Sequence, residues 1–257
     1  MKIGLIGAGN MARALARGWG EPVVCADPVA GRAQALVAEV GGEAVDSNAD
    51  VARAADVIVL CHKPAQLGEV AAEVAPHADA VASILAATPL SALREAYPGK
   101  PVYRFIPSLP VEVRQGAVVQ GVDAHDHGAR SGGDAQLDSE VRELFAQLGT
   151  LVELDDALVD VATGLMSCSP AYVALVAEAQ IDAGVRRGIP AAQGAELVVQ
   201  TLAGTAELLR RRGYDTVAVR REVSSPGGLT ARGVDALERG GLRAAFSAAL
   251  DAVLDAR

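Results

Sequence analysis

Through the first half of the chain, short apolar runs alternate with longer Ala-rich stretches of helical period, the pattern of strand–helix–strand units feeding a parallel sheet. The runs predict strands at Lys2–Ile6, Val23–Ala26, Val57–Leu60, Val81–Ile84 and Val102–Phe105. Between them the spacing predicts helices over Asn10–Arg17, Gly31–Val40, Asp50–Ala55, Leu67–Val74 and Pro89–Ala96. A further apolar run, Ala117–Gly121, precedes Asp123–Asp134, which is rich in Asp, His, Gly and Ser, has no period and reads as a solvated loop. A helix over Asp138–Leu148 and a strand over Thr150–Glu153 complete an expected doubly wound α/β domain spanning residues 1–154.

Beyond Asp155 the strand pattern stops. Helical periodicity covers Asp155–Gly164, Pro170–Arg187, Pro190–Arg211, Thr216–Val223, Thr230–Arg239 and Leu242–Ala256, with Gly188 and Pro190 marking one helix end and the next start. The simplest reading is a second, all-helical domain over residues 155–257. With 3% aromatic residues, the interior is built from Ala, Val and Leu, which pack closely on helices and on strands buried on both faces.

A net charge of -9 argues against a nucleic-acid partner, whose phosphates are bound by Lys and Arg, and points to a small-molecule ligand. The three cysteines, Cys25, Cys61 and Cys168, have neither metal-ligand nor disulfide spacing and read as reduced thiols of a cytoplasmic protein. The opening lysine and apolar stretch imitate a secretory signal, but the glycines and Arg13 argue otherwise. No later stretch has 18 uninterrupted apolar residues, so no membrane span is expected.

The sharpest motif joins the first strand to the first helix. Gly7-Ala8-Gly9-Asn10-Met11-Ala12 is a G-x-G-x-x-A turn: Gly7 permits the tight bend, Gly9 lets a pyrophosphate approach the backbone, and Ala12 lets the helix close on the strand. The pyrophosphate then rests on a helix N-terminus, where free N–H groups favour an anion. Asp27 ends the second strand about 20 residues on, in position to accept hydrogen bonds from ribose hydroxyls. The domain therefore reads as Rossmann-like, and its cofactor as NAD or NADP. A carboxylate at position 27 favours NAD, and the counter-reading has Asp27 facing away while Arg32 captures a phosphate.

Further blocks carry a resemblance to a known family: His62-Lys63-Pro64 after the third predicted strand, Ala86-Ala87-Thr88, Thr163-Gly164-Leu165, Pro170-Ala171-Tyr172, Ser225-Pro226-Gly227-Gly228-Leu229-Thr230, and Leu237-Glu238-Arg239-Gly240-Gly241. Together with the glycine turn, these make the chain resemble pyrroline-5-carboxylate reductase over nearly its whole length, with His62-Lys63-Pro64 standing where the family has Val-Lys-Pro. The resemblance implies hydride transfer from a reduced nicotinamide to the C=N carbon of 1-pyrroline-5-carboxylate, giving L-proline. It implies cofactor contacts from Gly7, Gly9, Asn10, Met11, Asp27, Asn48, Lys63, Pro64, Ala86 and Ala87. The glycine-rich stretch holding Ser225, Gly227 and Gly228 would bind the substrate carboxylate, and Thr230, the candidate catalytic residue, would hydrogen-bond the substrate nitrogen. A homodimer or higher homo-oligomer through the helical domain is also implied.

Three blocks depart from the family. Its Pro-Asn-Thr-Pro is Pro107-Ser108-Leu109-Pro110 here, its Gly-Ser-Gly-Pro is Ser167-Cys168-Ser169-Pro170, and its Ala-Ala-Gly ends in Thr88. These bear on the substrate rather than the cofactor, and they keep two alternatives in view: a reductase of another cyclic imine, and a non-catalytic NAD-binding regulator. A β-hydroxyacid dehydrogenase shares the architecture, but Ser225–Thr230 speaks against it. His125-Asp126-His127 falls short of the three or four convergent ligands a metal needs, so no metal site is expected. Glu178 and Asp182, at i and i+4 of one helix, face one side and read as facing solvent or a partner helix rather than flanking the active site.

Overall fold

A computed structural model describes residues 1–123 and 135–255. Two compact units divide between Pro170 and Ala171. The first is built on eight strands: β1 (Ile3–Ile6), β2 (Val23–Ala26), β3 (Gly42–Ala44), β4 (Val57–Leu60), β5 (Val81–Ser83), β6 (Val102–Pro107), β7 (Gly116–Val122) and β8 (Gly149–Asp155). Their order is β3-β2-β1-β4-β5-β6-β7-β8. β1 to β6 are mutually parallel, whereas β7 returns antiparallel to β6 and β8 lies parallel to β7.

The reversal at β7 corrects the expectation of an all-parallel sheet. Only residues 108–115, wound into a tight turn at Leu109–Val113, join β6 to β7, and a parallel crossover needs a dozen or more. β3 is a second departure: Gly42-Glu43-Ala44 has no apolar run, yet it pairs with β2 at the sheet edge.

Helices α1 (Asn10–Trp19), α2 (Arg32–Val40) and α6 (Ala135–Ala146) share one core with Ile3, Leu5, Val57, Val59 and Phe105. Helices α3 (Asn48–Ala54), α4 (Leu67–Val74) and α5 (Leu90–Ala96) share the other with Ile6, Ile58, Leu60 and Val81. Successive strand residues thus feed opposite faces, the two-residue period of a sheet covered on both sides. Within the first core Phe105 stacks on Phe145 at 3.8 Å, and the Trp19 indole donates its N–H to the Leu144 carbonyl at 2.9 Å. Half of the eight aromatic residues, Trp19, Tyr103, Phe105 and Phe145, lie in this core.

The chain after β8 stays with the sheet. A turn at Asp156–Leu158, α7 (Val159–Ala162) and a π-helical turn at Thr163–Ser167 follow, and Val159 and Ala162 are buried with Ile106 and Val119. Arg104 of β6, 1% exposed, pairs with Asp156 at 2.9 Å and Asp160 at 2.6 Å. These contacts place the boundary of the compact units at Pro170, whereas the loss of strand pattern marks residue 154.

The second unit contains α8 (Ser169–Val185) from Ala171 onward, α9 (Ala191–Arg211), α10 (Thr216–Glu222), α11 (Leu229–Arg239) and α12 (Leu242–Asp255). Its apolar side chains are largely uncovered within the chain: Leu175 is 64% exposed, Leu197 61% and Leu229 87%. The stretch Asp156–Val185 is the one helical run among the described residues long and apolar enough to cross a membrane, although Asp156, Asp160, Glu178 and Asp182 interrupt it. Asp156 and Asp160 at its start are tied to the buried Arg104 of the sheet.

Candidate functional site

The parallel strands β1, β2, β4, β5 and β6 end along one edge of the sheet, where open α/β sheets bind their ligands. A cleft of about 890 Å³ lies there, lined by Gly7 and Gly9 after β1, Asp27 and Arg32 after β2, Asn48 opening α3, and Cys61, His62 and Lys63 after β4. Its volume matches a sizeable organic ligand.

The glycine turn has the geometry the motif demands. Gly7 sits at φ +106°, and a Cβ there would lie 3.0 Å from the Cys61 carbonyl oxygen, so any side chain is both strained and crowded. Gly9 is different: its φ is -71°, and a Cβ would meet nothing within 4 Å. That space lies in front of α1, whose N-terminus carries no side-chain cap. Uncapped N–H groups facing an open cradle fit a dinucleotide pyrophosphate.

Asp27 braces this turn. Its carboxylate accepts the N–H of Ala8 at 2.8 Å through Oδ2 and the N–H of Val29 at 2.8 Å through Oδ1, so the acidic residue after β2 ties the glycine turn to its own loop. Asn48 lies just after Ser47, which caps α3 by accepting the Asp50 N–H at 3.1 Å. The Asn48 amide donates to Glu73 of α4 at 2.9 Å, which leaves its carbonyl oxygen as the acceptor for a ligand. Asp27, Asp46, Glu69 and Glu73 face Arg32 and Lys63 around the cleft, so carboxylates outnumber cations.

His62 was not among the residues expected from the motif, and it lines the same cleft. Burial holds its pKa below the ordinary histidine value, opposed by a hydrogen bond to the Lys63 carbonyl. Among the other expected contacts, Asn10 and Met11 open α1 and Pro64 begins the turn Pro64–Gln66. Ala86 and Ala87 follow β5 at the same sheet edge but outside the cleft lining, and Ala87 takes φ 51°.

The departing blocks are accommodated by the backbone. None of Thr88, Ser167 and Ser169 has positive φ, so the substitutions that replace the family's glycines carry no left-handed strain. Thr88 donates to the Ala86 carbonyl at 3.0 Å, Ser167 to Pro107 at 3.0 Å, and Ser108 to Ala117 at 3.1 Å. Sequence reading also missed Arg104 and Asp156. Asp156 accepts from Arg104 through Oδ1 and from the Leu90 N–H through Oδ2 at 3.0 Å, fixing the start of α5 just after the Ala86–Thr88 loop.

In the second unit, Ser225–Thr230 forms a turn closed by Gly228 N–H donating to the Ser225 carbonyl at 3.0 Å. Gly227 is at φ +69°, Gly228 begins α11 without a side-chain cap, and Thr230 lies in the first helical turn. Glu178 and Asp182 are exposed, as expected. His125-Asp126-His127 lies outside the described residues, and among the described residues no group of three potential metal ligands occurs.

A doubly wound sheet with a glycine turn, a bracing acidic residue and an uncapped helix start defines a dinucleotide-binding oxidoreductase domain. Residues 2–87 match the family model described as NADP oxidoreductase, coenzyme F420-dependent, and residues 156–257 match that of pyrroline-5-carboxylate reductase dimerisation. The chain is 33% identical over 267 residues to pyrroline-5-carboxylate reductase 3 of Macaca fascicularis, covering 98% of this chain and 93% of that protein. It is 33% identical over 261 residues to the pyrroline-5-carboxylate reductase of Synechocystis sp., covering 98% and 95%. Among solved structures, the NADP-bound pyrroline carboxylate reductase of Plasmodium falciparum superposes with a TM-score of 0.85 at 26% identity, over 99% of this chain and 96% of that one. The chain belongs to the pyrroline-5-carboxylate reductase family.

Proposed function

We propose that this chain reduces the C=N bond of 1-pyrroline-5-carboxylate to give L-proline, with NADH favoured over NADPH, and works as a homodimer or larger homo-oligomer. The observation that carries the reading is the cleft itself: the Gly7–Gly9 turn before an uncapped α1, in a chain that matches reductases of this name from end to end. When bound, the nicotinamide dinucleotide supplies the hydride. The N-terminus of α1 holds its pyrophosphate, Asp27 and Asn48 accept from ribose hydroxyls, and Lys63 and Pro64 flank it at the sheet edge.

In the helical unit the uncapped start of α11, with Gly227 and Gly228 before it, offers backbone N–H groups to the substrate carboxylate. Thr230 hydrogen-bonds the ring nitrogen by analogy with the family. An imine that arrives protonated has an electrophilic carbon, so no dedicated general acid is needed, and rate enhancement comes from positioning and charge stabilisation.

The cofactor preference rests on the cleft's charge. Asp27, Asp46, Glu69 and Glu73 make it acceptor-rich and negative, which suits a ribose with free hydroxyls and opposes a 2′-phosphate, against which Arg32 is the main counterweight. Oligomerisation is supported by the dimerisation match over residues 156–257 and by Leu175, Leu197 and Leu229, exposed within one chain. A different cyclic imine is the second reading, favoured by Leu109, an apolar side chain 46% exposed beside a Ser108 hydroxyl already used by Ala117.

The test is oxidation of NADH and of NADPH by the purified protein with 1-pyrroline-5-carboxylate, against 1-piperideine-2-carboxylate and an uncarboxylated pyrroline. Turnover of the first with the higher kcat/KM for NADH is expected. Preference for another imine moves the assignment to that substrate, and cofactor binding without turnover overturns the enzymatic reading.

A further inference from the structure

His62 poses a chemical problem that the family's pattern does not solve, since the corresponding loop there reads Val-Lys-Pro. Its ring lines the cleft between Cys61 and Lys63. Nδ1 lies 2.9 Å from the Lys63 carbonyl oxygen, and a carbonyl only accepts, so Nδ1 carries the hydrogen. In the neutral ring Nε2 is then a bare lone pair. That atom is shielded from solvent and has no hydrogen-bond partner among the described residues. A buried acceptor left unpaired is costly, and such atoms in folded proteins call for a functional or structural reason.

The rest of the cleft supplies that reason. Asp27 offers carboxylate oxygens, and Asn48 offers its carbonyl oxygen because its amide is held by Glu73. His62 adds one more acceptor to a lining that already holds Asp27, Asp46, Asn48, Glu69 and Glu73. The ligand that matches a set of acceptors is one rich in hydroxyl donors. Desolvation, which disfavours the charged imidazolium, keeps the ring in the accepting state. Because Nε2 is shielded, a ligand reaches it only when the ring turns or its exposed neighbours Lys63 and Pro64 shift.

We propose that His62 is a cofactor-contacting residue, specific to this chain's version of the loop, whose Nε2 accepts a hydrogen bond from a ribose hydroxyl of the bound nicotinamide dinucleotide. The inference rests on the cofactor reading given above. It makes His62 a determinant of affinity for the dinucleotide, acting beside Asp27 and Asn48 on the sugar and leaving the pyrophosphate to α1.

The experiment is titration of the full-length protein with NADH and with NADPH, followed by calorimetry, for wild type, His62→Val and His62→Gln. Thermal unfolding checks that each variant is folded. His62→Val, which restores the family's residue and removes the acceptor, is expected to raise the NADH Kd roughly five- to tenfold, the value of one hydrogen bond. His62→Gln, which keeps an acceptor, is expected to recover part of that loss. In 15N spectra of the wild type, the His62 Nε2 resonance is expected to move on adding NADH. An unchanged or tighter NADH Kd in folded His62→Val overturns the proposal, as does a loss larger for NADPH than for NADH, which would put the ring at the phosphate. Wild-type protein that binds neither dinucleotide is a separate result: it removes the cofactor assignment itself.

Discussion

Asp27, at the end of β2, accepts the backbone N–H of Ala8 at 2.8 Å, so the residue expected to select the cofactor also locks the glycine turn proposed to receive its phosphates. Its second oxygen holds Val29. Removing the side chain therefore acts on both roles. Asp27→Ala is expected to weaken NADH binding by at least tenfold, since a hydrogen bond to a charged group contributes about 1.5–3 kcal/mol. Asp27→Ser keeps a small acceptor and removes the charge. It should lower the ratio of kcat/KM for NADH over NADPH about tenfold, a difference of about 1.4 kcal/mol. Steady-state kinetics with both cofactors check both variants.

The two glycines of the turn separate stability from binding. Gly7→Ala forces a side chain to φ +106° and 3.0 Å from the Cys61 carbonyl, and is expected to destabilise the protein by about 1–3 kcal/mol. Gly9→Ala meets no protein atom and sits at an ordinary φ, so its unfolding midpoint should stay close to wild type. Its added methyl enters the space before α1, and NADH affinity should fall at least tenfold, about 1.4 kcal/mol. Urea unfolding alongside cofactor titration distinguishes the two effects.

Arg104 carries the largest expected stability effect. It is 1% exposed and faces Asp156 and Asp160, so Arg104→Ala removes a buried cation from beside two carboxylates. The expected cost is about 3–5 kcal/mol, read from the urea midpoint. Asp156→Asn is milder: its side-chain oxygen can still accept the Leu90 N–H, and the start of α5 should be retained.

Cysteine reactivity tests the packing of the sheet. Burial and the nearby Asp27 push the Cys25 thiol up to about 12, and burial also raises Cys61. Both groups stay protonated up to strongly alkaline pH, and the thiolate is the reactive form. In native protein at pH 8, the buried Cys25 should not react with a disulfide reagent on the time scale of a free thiol, and Cys61, half-buried in the cleft lining, should react more slowly than a free thiol. In denaturant both should react at once.

The apolar helical unit predicts a concentration-dependent assembly. Leu197→Asp and Leu175→Asp place charges on surfaces that are 61% and 64% exposed within one chain. Each is expected to shift the sedimentation profile toward monomer and lower the melting temperature, because assembly and stability are linked.

Most of this architecture is written in local pattern. Four-residue apolar runs such as Val23–Ala26 and Val57–Leu60, with the glycine turn after the first, determined the Rossmann-like half, because a strand buried on both faces and a turn that must reach positive φ each admit few residue types. Gly7, Gly9 and Asp27 were legible from the turn motif and the end of the second strand, Asn48 and Lys63 only through the family resemblance, and all five line one cleft. What the sequence left open depends on distant partners. β3 is a strand only because β2 offers it hydrogen bonds, and β7 reverses because its connection is too short to cross over. Arg104 finds Asp156 52 residues away, and that pair keeps residues 155–170 with the sheet. Nothing in His62-Lys63-Pro64 announces that the imidazole gives its hydrogen to a neighbouring carbonyl and leaves its other nitrogen unpaired in the cleft. Propensity and turn chemistry act over a few residues, whereas pairing, burial and the orientation of a lone pair are settled only when the chain has closed on itself.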